Sequence, residues 1–309
     1  MIVALAGGVG GARMAAGLAA CLPGGDLTVV VNTGDDFEHL GLAISPDIDS
    51  VLYTLAGLND TVRGWGQSGE TWAFMEALGK LGGPDWFLLG DRDLATHVLR
   101  TERLRRQTLS EVTEGFARQL SIPHTVLPMS DDPVRTIVLT DEGELPFQEY
   151  FVSRQARPVY KGLRLEGVEA ARAAPGVIEA IRKANAIVVC PSNPWLSIAP
   201  ILRVPGIEAE VQAARERGCP VVAVSPFIGG QAVKGPAAKI MHELGLEPTP
   251  AALARLYDDF ATALVIDNQD AQQALPAIPV HVTDTLMRDA AGQARLGRDV
   301  LVFVRALRP

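Results

Sequence analysis

The sequence predicts an α/β protein: a Rossmann-like parallel sheet with helices on both faces and a small β-rich insertion. Three observations carry this expectation. The chain opens as strand, glycine turn, helix, strand. Continuous apolar, β-branched runs recur late in the chain, each after a helical stretch. The middle instead alternates apolar and polar residues, as half-exposed antiparallel strands do.

Taken in order, Ile2 to Ala6 is an apolar run that stops at glycine. Gly11 to Leu22, rich in Ala and Leu, reads as a helix. Leu27 to Val31 is a second apolar run, ending at Asn32-Thr33-Gly34-Asp35-Asp36. Together these open a parallel βαβ unit. Glu70 to Lys80 and Leu94 to Leu120 read as helices. Val134 to Thr140 alternates, Pro146 to Val152 is strand-like, and Val159 to Leu165 is placed to pair with it, so residues 130–175 form the expected insertion. Helices are expected over Pro175 to Ala184 and Ile207 to Arg217. They precede buried strands at Ala186 to Cys190 and Pro220 to Val224, with a further short strand at Leu264 to Asp267. The 309 residues are expected to make one such domain.

Hydrophobic residues are 48% and charged residues 21%, which supports a packed core rather than disorder. The net charge of -8 argues against a broad nucleic-acid surface, though not against a local cationic pocket. Cys21, Cys190 and Cys219 are odd in number and form no Cys-x-x-Cys pair, so neither a disulfide framework nor a structural zinc site is expected. The opening run MIVALAGG is too short for a membrane span and has no basic stretch before it. A cytoplasmic protein with no membrane partner is expected.

Ligands of an open parallel sheet sit at the carboxyl ends of its strands, where the polar turns fall. The first is Gly7-Gly8-Val9-Gly10-Gly11-Ala12-Arg13. Glycines let backbone approach a phosphate, and the following helix offers free N–H groups. Gly8 and Gly10 fit a dinucleotide fingerprint, but Arg13 takes the third glycine position, and no Walker A lysine follows. The second is acidic: Asp35, Asp36, Asp47 and Asp49. Clustered carboxylates beside a phosphate site point to a divalent cation. Asp47 and Asp49 equally suit a helix N-terminus. The third runs Leu89-Gly90-Asp91-Arg92-Asp93, with His97 one turn on. The fourth brings Ser192 and Asn193 after one late strand, and Ser225, Gly229, Gly230 and Lys234 after another. Ordinary turn chemistry also explains these.

Together these stretches resemble one family, the 2-phospho-lactate transferases of coenzyme F420 biosynthesis (CofD or FbiA). The resemblance rests on AGGVGGAR at 6–13, VVVNTGDDFEHLGLAISPDIDSVLYTLAG at 29–57, LGDRDLATHVLR at 89–100, FQEYFV at 147–152, PSNPWLSI at 191–198 and VSPFIGGQAVKGPAAK at 224–239. It implies transfer of a phospholactyl, phosphoenolpyruvyl or phosphoglyceryl group from a guanylyl diphosphate donor to the ribityl hydroxyl of the deazaflavin Fo, releasing GMP, with Mg²⁺ and a homodimer. By position it implies that Gly7, Gly8, Gly10, Gly11 and Arg13 hold donor phosphates. Ser192, Asn193, Ser225, Gly229, Gly230 and Lys234 would hold the GMP half. Asp35, Asp36 and Asp49 would hold Mg²⁺, with Asp49 also at the Fo hydroxyl. Asp91, Arg92 and Asp93 would organise the catalytic pocket. Leu88 falls at an Fo-contacting position that is often polar or basic in relatives. The insertion is a candidate cover over Fo. Two other readings use the same residues: an NAD(P)-dependent oxidoreductase, from the glycine turn and Asp35, and a sugar-nucleotide-binding regulator.

Overall fold

The computed structural model describes residues 1–273 and 275–307. Seven parallel strands form the main sheet, in the order Val280–Thr283, Ala263–Asp267, Val221–Val224, Ala186–Val189, Ile2–Ala6, Leu27–Val31 and Thr125–Pro128. From Ile2–Ala6 the chain builds outward one way, then returns to build the other. The switch lies between Ile2–Ala6 and Ala186–Val189, paired from Ile2↔Ala186 to Leu5↔Val189. Connections leave such a pair in opposite directions, so a crevice opens at its carboxyl end. The turns after Ala6 and Val189 meet there.

The five inner strands that flank this point are buried along their whole length, as their unbroken apolar runs require. Alternate side chains feed two cores. Val3, Leu5, Ile187 and Val189 pack with helices Val177–Lys183 and Ile207–Glu216. Ala4, Ala6, Val29 and Val188 pack with Gly8–Ala19, Pro46–Leu55, Leu109–Gln119 and Ala290–Ala306. The expected Rossmann-like sheet with helices on both faces is therefore present.

Helices Gly8–Ala19 and Ala290–Ala306 touch backbone to backbone. A Cβ on Gly17 would stand 2.2 Å from the Gln293 carbonyl oxygen. Gly17→Ala is therefore expected to destabilise by about 1–3 kcal/mol, although alanine is the better helix former. An unchanged urea midpoint would show that the two helices re-space freely.

Three elements differ from the sequence reading. The first helix starts at Gly8, not Gly11, because Gly8 at φ 62° turns the chain straight from strand into helix. The stretch 94–120 is two helices, Asp91–Arg103 and Leu109–Gln119; Thr108 and Glu111 form a capping box that starts the second. Of residues 146–152 only Pro146 belongs to a strand. The strand is Gly143–Pro146, and Glu149–Ser153 forms a π-helical turn that stacks Phe147 on Phe151 with centroids 5.4 Å apart. In the insertion, Arg135–Thr140 is the middle strand, antiparallel to Gly143–Pro146 and Tyr160–Glu166.

Candidate active site

A cavity of about 570 Å³ lies at the switch point, lined by the glycine turn, four aspartates and an apolar wall. The glycine turn is locked to the turn after Val189. Gly7 N–H donates to Ser192 Oγ (3.2 Å), and that hydroxyl donates back to Gly7 O (2.7 Å). A Cβ on Gly10 would stand 2.3 Å from the Pro191 oxygen, and one on Gly11 2.8 Å from Ser192 Oγ. Here glycine serves the contact between turns. Gly7, Gly8 and Gly10 line the cavity; Gly11 is buried behind them. Ser192 and Ser225 also line it, but their hydroxyls are engaged, Ser225 Oγ accepting from Phe227 N–H (3.1 Å). Asn193 Oδ1 accepts from the amides of Trp195 and Leu196, while its Nδ2 is buried with no partner. That nitrogen is an unsatisfied buried donor on a residue of the wall.

Arg13 and Lys234 supply the wall's cations. Arg13 donates to the Met287 carbonyl (3.2 Å); Lys234 Nζ donates to the carbonyls of Arg63 (3.2 Å) and Gly64 (3.1 Å). Burial, then the Arg13 charge, lowers the Lys234 ammonium below its usual range. The two cations are close: a Cβ on Gly64 would stand 2.3 Å from Lys234 Nζ and 3.9 Å from Arg13 Nη2.

Asp35, Asp47, Asp49 and Asp93 are the wall's acids. Asp35 is buried, and its Oδ1 has no hydrogen-bond partner. Burial pushes its carboxyl well above the usual range, and Asp47 pushes it further. Asp47 Oδ2 accepts from Asn32 Nδ2 (2.9 Å). Burial pushes Asp47 up to about 6, against the Asn32 bond and the Gly8 amide. Two adjoining buried carboxylates with an orphaned oxygen are the arrangement a divalent cation relieves.

Asp49 is differently placed. Both of its oxygens are engaged by the Arg100 guanidinium, Nη1 at 3.0 Å from Oδ2 and Nη2 on Oδ1. Arg100 is 1% exposed. His97 Nδ1 lies 3.7 Å from Asp49 Oδ2, and His97 Nε2 3.3 Å from Asp93 Oδ2. Tyr53 donates its hydroxyl hydrogen to Asp93 Oδ1 (2.6 Å). Burial works to raise the Asp93 carboxyl, but the adjacent His97 ring, the Tyr53 hydroxyl and Arg100 together outweigh it and hold the group below its usual range. Among the described residues, Asp49, Asp93 and His97 are the one group of three or more with the spacing of a metal site. Arg100 already fills the Asp49 oxygens, so a buried side-chain pair occupies the place a cation would take.

Several expected residues lie off the cavity wall. Asp36 accepts from Ser45 Oγ (2.7 Å) and borders a separate cavity of about 200 Å³ near Arg135. Asp91 accepts from the amides of Ala73 (3.1 Å) and Phe74 (3.1 Å) and from the Thr71 hydroxyl, so it caps helix Ala73–Lys80. Arg92 donates to the Ser68 carbonyl (3.0 Å). Helical phase explains the split: Asp93, His97 and Arg100 follow at i, i+4 and i+7 and face inward, while Asp91 and Arg92 fall on the outer turn. Gly229 and Gly230 form the left-handed turn between Phe227–Ile228 and Gln231–Ala232, where Gly230 N–H donates to Asp270 Oδ1 (3.0 Å). Leu88 does line the cavity, half-exposed beside Trp86 and Phe87.

The sequence reading missed Tyr53, Arg100 and the aromatic wall of Trp86, Phe87, Phe147 and Phe151. The spacing of Arg100 three residues after His97 was the available signal for Arg100. The aromatics come from two segments, 86–87 and 147–151, which no local pattern connects. No helix among the described residues is long and apolar enough to cross a membrane.

Residues 2–299 match the model of the family described as 2-phospho-L-lactate transferase CofD. A phosphoenolpyruvate transferase of Streptomyces griseus is 42% identical over 318 residues, covering 99% of each chain. A 2-phospho-L-lactate transferase of Methanopyrus kandleri is 40% identical over 311 residues, covering 99% of this chain and 98% of its own. The crystal structure of a UPF0052 family protein from Bacillus halodurans superposes with a TM-score of 0.63 at 14% identity, over 97% of this chain and 99% of its own; it shares the fold. With full-length identity of this order joined to the family's motifs, the chain belongs to the 2-phospho-L-lactate transferase (CofD) family of transferases.

Proposed function

We propose that the protein moves a phospho-carboxylate group from a guanylyl diphosphate donor to the ribityl hydroxyl of the deazaflavin Fo, in coenzyme F420 biosynthesis. One observation carries this reading: a single cavity joins a cationic glycine turn, a buried carboxylate pair and an aromatic wall. Anion, divalent cation and flat heterocycle each find their chemistry there. The relatives' names split between phosphoenolpyruvate and 2-phospho-L-lactate, so the three-carbon acid is settled by assay.

In this reading the acceptor oxygen bonds to the phosphorus that carries the acid, the bond from that phosphorus to GMP breaks, and the hydroxyl proton leaves to a wall carboxylate. Such transfer needs alignment and charge neutralisation more than a covalent nucleophile. Gly7, Gly8 and Gly10 with Arg13 and Lys234 meet the diphosphate, and Asn193 Nδ2 gives a further donor. Asp49, held in place by the Arg100 guanidinium although burial raises its carboxyl above the usual range, is assigned to the acceptor hydroxyl. Asp35 and Asp47 fit Mg²⁺, which when bound neutralises diphosphate charge. This replaces the ligand set expected from the sequence: Asp36 faces away and Asp49 is already paired.

The test is turnover of Fo with Mg²⁺ and each guanylyl donor, followed by mass. Phosphodiester-linked deazaflavin with released GMP is expected. No product with any donor, together with tight binding of NADPH or a UDP-sugar, would replace this reading by the oxidoreductase or the regulator.

A further inference from the structure

Arg92 and Lys234, far apart in sequence, bond the same loop. Residues 58–69 close on themselves: Asn59 bridges Gln67, Asp60 N–H donates to Gly66 O (3.0 Å), and Ser68 N–H donates to Leu58 O (2.7 Å). Gly57, Gly64, Gly66 and Gly69 take left-handed backbone at its ends and tip. Trp65 and Gly66 reach the cavity, while Val62 on the outer side is 95% exposed. At the base, Arg92 Nη1 holds Ser68 O (3.0 Å), and the Glu70 carboxylate accepts from the amides of Arg92 (2.7 Å) and Asp93 (2.9 Å). At the tip, Lys234 Nζ holds the Arg63 and Gly64 carbonyls.

Lysine has three donors. Two go to the loop, and the third is left for an anion in the cavity. A Cβ on Gly64 would stand 2.3 Å from Lys234 Nζ and 3.9 Å from Arg13 Nη2, so the loop tip sits at both cations. An anion seated there and the closed loop therefore share one ammonium.

We infer that Lys234 and Arg92 are positioning residues that hold residues 58–69 closed at the cavity rim, and that this closure selects the acceptor hydroxyl over water as the group that attacks the donor phosphorus. The inference rests on the transferase reading. With water as attacker, its oxygen bonds to phosphorus, the bond to GMP breaks, its proton passes to solvent, and the phosphorylated acid leaves free. Closure that keeps water from an activated phosphorus is how a rim loop serves transfer.

Two measurements on full-length Lys234→Met and Arg92→Met test it. The first is trypsin cleavage after Arg63 in ligand-free protein, since the Arg63 carbonyl is the one that Lys234 holds. Lys234→Met is expected to be cut about tenfold faster than wild type, with an unchanged thermal midpoint. Equal rates would overturn the latch, whatever the protein catalyses. The second is GMP released per deazaflavin product with enolpyruvyl guanylyl diphosphate and Fo. Wild type should stay near one, and both variants should rise to about three or more, with Lys234→Arg restoring the ratio. Product and GMP falling together at a ratio of one would overturn the selection role. A wild type inactive with every donor sinks the transferase reading and the selection role with it, while the trypsin result still decides the latch.

Discussion

Arg100→Met should cost about 3–5 kcal/mol of folding stability, a large share of the 5–15 kcal/mol typical of a domain. Arg100 is 1% exposed and gives both Asp49 oxygens their guanidinium partner. Methionine fills a similar volume but leaves Asp49 as an uncompensated charge 4% exposed. His97, 3.7 Å away, is the remaining basic neighbour in contact. Asp49→Asn should cost a comparable amount, because it strands the guanidinium. The double variant should recover more than half of either loss, since neither charge is then left unpaired. Urea unfolding of the four proteins measures this. A single-variant loss below about 1 kcal/mol, or a double variant at the sum of the singles, would mean that the pair is solvated and not the buried clamp described above.

The same pair shows where sequence alone stops. Asp49 is legible because two acids flank Ile48 after a proline, a pattern with chemical meaning by itself. Arg100 is legible only once 91–103 is known to be helical and its phase is fixed by His97. Without that phase, Asp91 and Arg92 look the more reactive residues of the stretch, being charged and next to glycine. The inner strands read cleanly, because burial on both faces leaves unbroken apolar runs. The edge strands Thr125–Pro128 and Val280–Thr283 did not, since each is partly exposed and carries polar residues. The C-terminal helix Ala290–Ala306 was also missed: its packing depends on Gly17 and Gly297, whose meaning is a contact between distant segments. The glycine clusters at 7–11 and 229–230 were both read as phosphate-binding. At Gly11, Gly229 and Gly230 it serves packing and left-handed turns instead.

Asp35→Asn should lower turnover by at least about 100-fold, while Asp36→Asn should leave it within about threefold. The two acids are neighbours in sequence but face different cavities. Asp35 lines the main cavity beside the second carboxylate, Asp47, and Asp36 does not. An amide there supplies one neutral oxygen in place of a charged pair, so divalent binding should weaken as well. Mn²⁺ titration of the ligand-free protein by electron paramagnetic resonance reads this apart from activity, and a loss of about tenfold is expected. Asp36 answers to a different measurement. Burial pushes its carboxyl up to about 7, against an ordinary value of 3.8 in the unfolded chain. Because the folded value is the higher, its contribution is full below pH 3.8 and is lost as pH rises through 7. Wild type should therefore lose about 1 kcal/mol relative to Asp36→Asn between pH 6 and pH 8. If instead Asp36→Asn abolishes turnover and Mn²⁺ binding while Asp35→Asn spares both, the cation lies on the other side of the 33–36 turn, and the assignment of the two cavities must be exchanged.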